Sequence, residues 1–332
     1  MVKSKWKNDN VLKGEKMDIP QELKEAIDEV TTGIKHTSLI EQSQKISEKY
    51  RENDGKGKKL VTERTEAIAY AISRMPSTYC AVYSVLTQCL KNYEKDIKTV
   101  LDIGAGTGAA TWAVSNVLQV EKIVCLEREK AMKDIGTKLM NKALENVNWR
   151  EFDLVTSEIN EKADLVMTSY VINELNMQDR EKAILKMWEA TNNLLIIIEP
   201  GTPEGFKHIL EAREILLSQN ANIVAPCAHK GKCPINPKED WCSFYVRVAR
   251  SGIHKQAKKG ELGYEDEKFS YIVFSKQPIN TTGARILRHP QINSGYVKVK
   301  LCTQNGIEEK TYSKKDEDIY KKIRKLNAGD MI

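Results

Sequence analysis

Thr99-Val100-Leu101-Asp102-Ile103-Gly104-Ala105-Gly106-Thr107-Gly108 runs from a short apolar strand pattern straight into a turn holding three glycines. Residues without a Cβ let the chain bend sharply and let a ligand lie against the backbone, as where the first strand of a nucleotide-binding sheet hands over to a helix. The glycine spacing alone leaves two ligands open. With Ala109 as the last small residue it fits a dinucleotide, and it fits S-adenosylmethionine as well. Asp102 helps to decide between them. A carboxylate two residues before the first glycine repels a pyrophosphate, whereas S-adenosylmethionine brings an ammonium and a sulfonium, both attracted to it.

Outward from this turn, strands and helices alternate. Apolar strands at Thr99 to Ile103, Lys122 to Leu126, Val147 to Phe152, Asp164 to Thr168 and Leu194 to Ile198 are separated by helix-length segments, which calls for a parallel sheet covered on both faces. Glu127 closes the second strand, where an acid can accept both hydroxyls of a ribose, and Asp153 follows the third, on the side of an adenine amino group. With Asp102 they stand at successive strand ends, the edge where open α/β sheets bind ligands. The competing reading is three acids in ordinary loops. Upstream, Leu23, Ile27, Val30 and Ile34, then Ala67, Ile68, Ala71 and Ile72, keep helical spacing around a Gly/Lys loop, and Pro76 interrupts the second segment. Downstream come a helix from Glu204 to Leu217, a loop opening with Ala225-Pro226-Cys227, and strands at Phe244 to Val248 and Phe269 to Phe274. A hairpin at Tyr296 to Cys302, with its turn at Asn305-Gly306, precedes a charged last helix.

The 332 residues are 41% hydrophobic and 30% charged, with 52 Lys and Arg against 46 Asp and Glu, a balance that excludes disordered and fibrous classes. No apolar run approaches the ~18 residues of a membrane span, so no membrane partner is expected. Met1 to Pro20 show neither a secretory signal nor an Arg-rich transit peptide, and Met17 is an alternative start. Seven cysteines, an odd number, argue against a disulfide framework and for a reducing cytoplasm. A monomer is expected.

Cys227, Cys233 and Cys242 lie in Pro-Cys-Ala-His-Lys-Gly-Lys-Cys-Pro and Asp-Trp-Cys, an irregular loop rather than a periodic apolar face. Three thiols in such a loop call for a metal, and their spacing is longer than the short knuckles of zinc ribbons, so zinc is the alternative rather than the first choice. The fourth ligand is left open between Cys302 and His229. Cys80, Cys89 and Cys125 sit on helix and strand patterns and read as packing residues. From Cys227 to Gly260 eight basic residues face two acidic ones, equal to the whole net charge of +6. A polyanionic partner fits that excess, with Arg247, Arg250, Lys255, Lys258 and Lys259 as phosphate contacts; the bland alternative is a solvated loop.

The strand, acid and glycine-rich turn resemble the first cofactor motif of the class I methyltransferases over roughly residues 98–276. The resemblance implies a Rossmann-like seven-stranded sheet and S-adenosylmethionine bound by Asp102, Gly104, Ala105, Gly106, Gly108, Glu127, Arg128, Asp153, Leu154 and Ser169. The segment Ser169-Tyr170-Val171-Ile172-Asn173-Glu174-Leu175 lines the methyl-donor side in that fold, making Ser169, Tyr170, Asn173 and Glu174 the catalytic candidates. It lacks the Asn/Asp-Pro-Pro-aromatic tetrapeptide of many exocyclic-amine methyltransferases, which weakens base N-methylation.

A narrower resemblance runs from Tyr70 to the C-terminus. Arg74-Met75-Pro76-Ser77-Thr78-Tyr79, Glu199-Pro200-Gly201-Thr202-Pro203, the cysteine segment, Asp240-Trp241-Cys242, Tyr264-Glu265-Asp266-Glu267-Lys268-Phe269-Ser270-Tyr271, Arg285-Ile286-Leu287 and Cys302 are similar to the methyltransferase-like ribosomal small-subunit proteins, known as mitochondrial small-subunit assembly factors and present also in bacteria. This implies a helical region at 1–95, a methyltransferase domain at 96–280 with an inserted cysteine loop at 225–243, and a C-terminal hairpin and helix at 281–332. It also implies a [4Fe–4S] cluster on Cys227, Cys233, Cys242 and Cys302, and small-subunit rRNA or its precursor as partner. The chain departs from the family pattern at Ala228, Ser243 and Ala328. Two functions stay open, an rRNA methyltransferase and an assembly factor that binds cofactor and rRNA without turnover; a small-molecule methyltransferase is disfavoured.

Overall fold

A computed structural model describes residues 16–52, 59–90, 93, 95–257, 262–279 and 283–332. The helices α1 (Gln21–Thr31), α2 (His36–Glu52), α3 (Arg64–Ser73) and α4 (Met75–Leu90) come first. α1 is amphipathic and buries only Leu23, Ile27 and Val30, whereas α4 is apolar on nearly every side and is buried accordingly. The break at Arg74 leaves Pro76 in the first turn of α4, where its missing N–H has no helical acceptor to lose.

Next follow β1 (Thr99–Ile103), α5 (Ala109–Val117), β2 (Lys122–Glu127), α6 (Lys130–Met140), β3 (Val147–Glu151), β4 (Ala163–Ser169), α7 (Met177–Glu189), β5 (Thr191–Pro200), α8 (Pro203–Ser218) and β6 (Asn222–Ala225). Then come β7 (Phe244–Ala249), α9 (Gly252–Ala257) and the long β8 (Tyr264–Ser275). The strands form one mixed sheet in the order β3-β2-β1-β4-β5-β8-β6, with β7 also on β8. β1 to β5 are mutually parallel, and β8 runs antiparallel to β5. β3 to β1 run outward on one side of the switch and β4 and β5 on the other, opening a crevice at the carboxyl ends of β1 and β4.

The sheet has eight strands, not seven. Twelve-residue β8 is long enough to carry two partners on one edge: β7 pairs Tyr264 to Phe269 and β6 pairs Val273 to Ser275. β6 is hidden in the sequence because it is four residues long and ends in the loop signal Ala225-Pro226. A second, four-stranded sheet consists of β9 (Arg285–Ile286), β10 (Gln291–Ile292), β11 (Tyr296–Thr303) and β12 (Gly306–Ser313), with α10 (Glu317–Ile323) closing its apolar face of Ile286, Val297, Val299 and Leu301 through Tyr320 and Ile323.

Candidate functional site

A cavity of about 920 Å³ opens at the carboxyl ends of β1 to β5, roofed by α2 and α3. Gly104, Gly106, Glu127, Arg128, Asp153, Leu154, Ser169, Tyr170, Asn173 and Glu174 all line it. The glycines of the turn divide the work. Gly104, at φ +69°, brings the backbone so close to Val171 that a Cβ would collide with that side chain, so the residue shapes the cavity floor. Gly108 packs under Met140 and Trp149 instead, and Ala105 is buried; neither lines the cavity.

Asp102 requires a correction. Its carboxylate is 1% exposed, accepts a bond from the Thr111 hydroxyl (2.8 Å) and does not line the cavity; burial pushes its pKa up to about 6. Strand side chains alternate faces, and two residues before Gly104 the acid points toward α5 rather than to the ligand edge. Asp102 therefore props the turn from beneath.

Glu127 does stand at the cavity edge. Its two oxygens accept the N–H groups of Gly106 (2.7 Å) and Glu129 (2.7 Å), fixing the carboxylate between the glycine turn and the end of β2. Glu129, which no sequence motif singles out, accepts from Leu60 (2.5 Å) and Val61 (2.9 Å) and so ties the segment before α3 to the cavity rim. Asp153 caps its own loop, accepting from Val155 and Thr156. Burial, with Glu129 and Glu127 adding repulsion, drives the pKa of Glu174 up to about 8, and Arg128 at 4.0 Å only partly offsets it. Glu199, wholly buried at the end of β5, is likewise pushed to about 8; one oxygen accepts from Ile172 (3.1 Å) and the other has no partner among the described residues. Ser169 Oγ and Asn173 Oδ1, both on the cavity wall, are buried without a hydrogen-bond partner in the same sense. Buried polar atoms are rarely left so.

Tyr170 is held in the left-handed region at φ +61°, a strained conformation for an aromatic residue. Its hydroxyl donates to Glu267 (2.9 Å), which Arg74 faces at 3.5 Å. Burial first, and the Glu267 charge next, raise the Tyr170 phenol well above its ordinary value. Glu265, the next inward-facing acid of β8, accepts from Ser77 (2.5 Å) and Arg250 (3.0 Å). These contacts join the start of α4 to β8.

They also correct the reading of the basic segment. Arg247 forms a two-pronged pair with Asp266 (2.8 and 3.1 Å) and lies over the Tyr264 ring, while Arg250 is paired with Glu265. Both guanidiniums are committed to β8 rather than presented to a polyanion. Lys255 is exposed on α9; Lys258 and Lys259 lie outside the described residues.

Cys227, Cys233, Cys242 and Cys302 line one small pocket, with His229 beside them. They come from four places: the end of β6, the following loop, the approach to β7, and β11. Arg285 donates to the Pro226 carbonyl (3.0 Å) and Ser270 to the Cys242 carbonyl (2.7 Å), fixing that loop to both sheets. Among the described residues no three of His, Cys, Asp and Glu converge as ligands of a single metal ion. Cys80, Cys89 and Cys125 are buried in the core, where burial raises each thiol pKa.

A family model described as mitochondrial small ribosomal subunit Rsm22 matches residues 64–332. The chain belongs to this family. Among its relatives is the human mitochondrial ribosome assembly protein METTL17, 23% identical over 291 residues, covering 80% of this chain and 62% of the human protein. Rsm22-cox11 tandem proteins 1 and 2 of Schizosaccharomyces pombe, also mitochondrial, are 26% identical over 326 residues, covering 80% of this chain and 43% of theirs. The chain thus spans less than two thirds of these relatives. Similar solved structures include magnesium protoporphyrin IX methyltransferase of Synechocystis PCC 6803 with bound S-adenosylmethionine (12% identity, TM-score 0.42, 78% of this chain and 98% of that one). Another is N-methyltransferase NodS of Bradyrhizobium japonicum WM9 with S-adenosylhomocysteine (12% identity, TM-score 0.39, 60% and 86%). The cytoplasmic placement is overturned, since the family and these relatives are named as mitochondrial. Free thiols report a reducing setting, not the compartment that supplies it. Among the described residues no helix is long and apolar enough to cross a membrane.

Proposed function

We propose that the protein binds S-adenosylmethionine in the cavity at the ends of β1 to β5 and serves small-subunit assembly by engaging rRNA or its precursor. The observation that carries this is the charge of the cavity wall. Even with Glu174 protonated, the acids Glu48, Glu127, Glu129, Asp153 and Glu204 outnumber Arg74, Arg128 and Arg250 there, an environment suited to a cationic ligand and hostile to a pyrophosphate. The fit extends to the unpartnered atoms of Ser169 and Asn173, which await polar groups of a ligand. Glu127 would take the ribose hydroxyls, Asp153 the adenine amino group, and the backbone at Gly104 and Gly106 the amino-acid end. When bound, S-adenosylmethionine supplies an electrophilic methyl carbon; Glu174, on the cavity wall and largely protonated near neutral pH in the free protein, would release its proton as that positive charge arrives.

The four cysteines fit a [4Fe–4S] cluster, which would tie the loop after β6 to β11. Zinc draws thiolates in to about 2.3 Å from one ion and is the alternative occupant of the same four thiols. For RNA, the surface to favour is the C-terminal unit. Residues 283–332 carry eleven Lys and Arg against six Asp and Glu, and Lys314, Lys315, Lys322 and Lys325 are exposed.

Binding without turnover is a second reading, favoured by the Tyr170 hydroxyl being already engaged as a donor to Glu267. Incubating immature small subunits with methyl-labelled S-adenosylmethionine separates the two: label in rRNA establishes transfer, while tight cofactor binding with no label establishes the second reading. Binding of NAD but not S-adenosylmethionine would overturn both.

A further inference from the structure

Among the described residues, the cysteine pocket contains a buried cation with no acid lining the pocket beside it. Arg213 lies on the inward side of α8 and is 3% exposed. Its Nη2 donates to the carbonyls of His229 (3.0 Å) and Gly231 (2.6 Å), both in the loop between Cys227 and Cys233. Its Nε is buried with no hydrogen-bond partner among the described residues. A guanidinium cannot shed its proton, and none of the residues lining the pocket is an acid. Arg288, by contrast, is paired with Asp240 at 2.6 Å. Burying an unpaired charge is costly enough that such groups are normally matched by an anion. Arg213 lines the same pocket as Cys227, Cys233, Cys242 and Cys302.

We propose that Arg213 is a positioning residue for an anionic metal–thiolate group held by the four cysteines, supplying its countercharge and an N–H donor to its sulfur edge. This rests on the cluster reading above. A [4Fe–4S] core with four thiolates is anionic in both its usual oxidation levels and more so when reduced, so a buried cation and an N–H bond to sulfur both favour the reduced level. Arg213 therefore holds the reduction potential up and slows loss of iron.

The test uses the full chain, reconstituted anaerobically with ferrous iron and sulfide, as parent, Arg213→Lys and Arg213→Gln. Iron content, reduction potential and the rate at which a chelator strips the iron are measured. Potentials should fall in the order parent, Lys, Gln, and iron release should quicken in the same order, by roughly tenfold or more for Gln. Lysine keeps the charge but not the fork that reaches sulfur and both carbonyls. Equal potentials and equal release rates would overturn the proposal and leave Arg213 as a loop prop. Should Arg213→Gln not fold, Arg213→Lys decides alone, since a potential and release rate equal to the parent's remove the donor role. If the parent takes zinc and no iron, the cluster reading fails while the countercharge is still measured: zinc affinity must then drop at least tenfold in Arg213→Gln and less in Arg213→Lys. A parent that takes neither metal sinks both.

Discussion

Replacing Glu127 by Gln changes one atom and one charge at the cavity edge. The carboxylate now accepts two backbone N–H groups, from Gly106 and Glu129, and still has lone pairs directed at the cavity for two ribose hydroxyls. A hydrogen bond to a charged acceptor contributes about 1.5–3 kcal/mol, a neutral one about 0.5–1.5, so each ribose bond weakens by about 1 kcal/mol. Two such bonds give about 2 kcal/mol, or roughly 30-fold weaker S-adenosylmethionine binding. The amide also turns an N–H toward one of the two backbone donors, so the unliganded protein should lose about 1–3 kcal/mol of stability. Calorimetric titration of parent and E127Q, with thermal unfolding of each unliganded protein, reads the two effects separately. Unchanged cofactor affinity in a folded E127Q protein would refute the ribose assignment, whatever happened to stability.

Glu199, pushed to about 8 by burial, keeps in the native state a proton that the unfolded chain releases near 4.5; the stability this confers is complete below about pH 4.5 and is lost as pH rises to about 8. Relative to the parent, E199Q should accordingly gain in melting temperature between pH 5 and 8, and a gap that narrows over that interval contradicts the assignment. S-adenosylmethionine should bind the parent more tightly as pH rises toward about 8, because Glu174 on the cavity wall ionises to meet it; affinity independent of pH argues against its facing the cation. In RNA-binding titrations, changing Arg247 and Arg250 together to Ala should lower stability but hardly alter the salt slope, whereas changing Lys314, Lys315, Lys322 and Lys325 should flatten it by about 0.7–0.9 for each phosphate no longer neutralised. The reverse pattern would restore the basic segment as the RNA surface. A Cβ at Gly205 would strike the backbone of Pro200, so Gly205→Ala should cost about 1–3 kcal/mol in a denaturant titration; a neutral result means the start of α8 can shift.

The parallel core was legible because β1, β2, β4 and β5 are buried on both faces and read as continuous apolar runs, and because a turn with three positive-φ glycines admits few alternatives. Glu127 and Asp153 could be placed on the cavity because they follow the last strand residues or close them. Asp102 could not, since its direction depends on strand pleat, and α5 offers Thr111 nine residues later. The fate of Arg247 and Arg250 was invisible for a different reason. Their acids lie on the facing strand, 19 and 15 residues away, in a register that pairs Arg247 with Asp266, and a local charge count does not cross a strand pair. Glu129, Arg74 and Arg213 act through partners 69, 193 and 16 residues distant, and their types alone announce nothing; for Arg74 and Glu267 the one available signal was their place in the segments shared with the family.

β8 touches both sites. Glu267, in its first half, is held by Tyr170 and Arg74 at the large cavity, while Tyr271 and Ile272, in its second, wall the cysteine pocket about 13 Å further along the strand. Ser270, between them, is pinned to the carbonyl of Cys242. The strand works as a tie rod. If the cysteine loop loses its order, the slack reaches Glu267 along a backbone that cannot stretch, and Tyr170, already in a strained conformation, is the first residue with cause to let go. Amide exchange along β8 should then quicken at the cavity end when only the cysteine end has been disturbed.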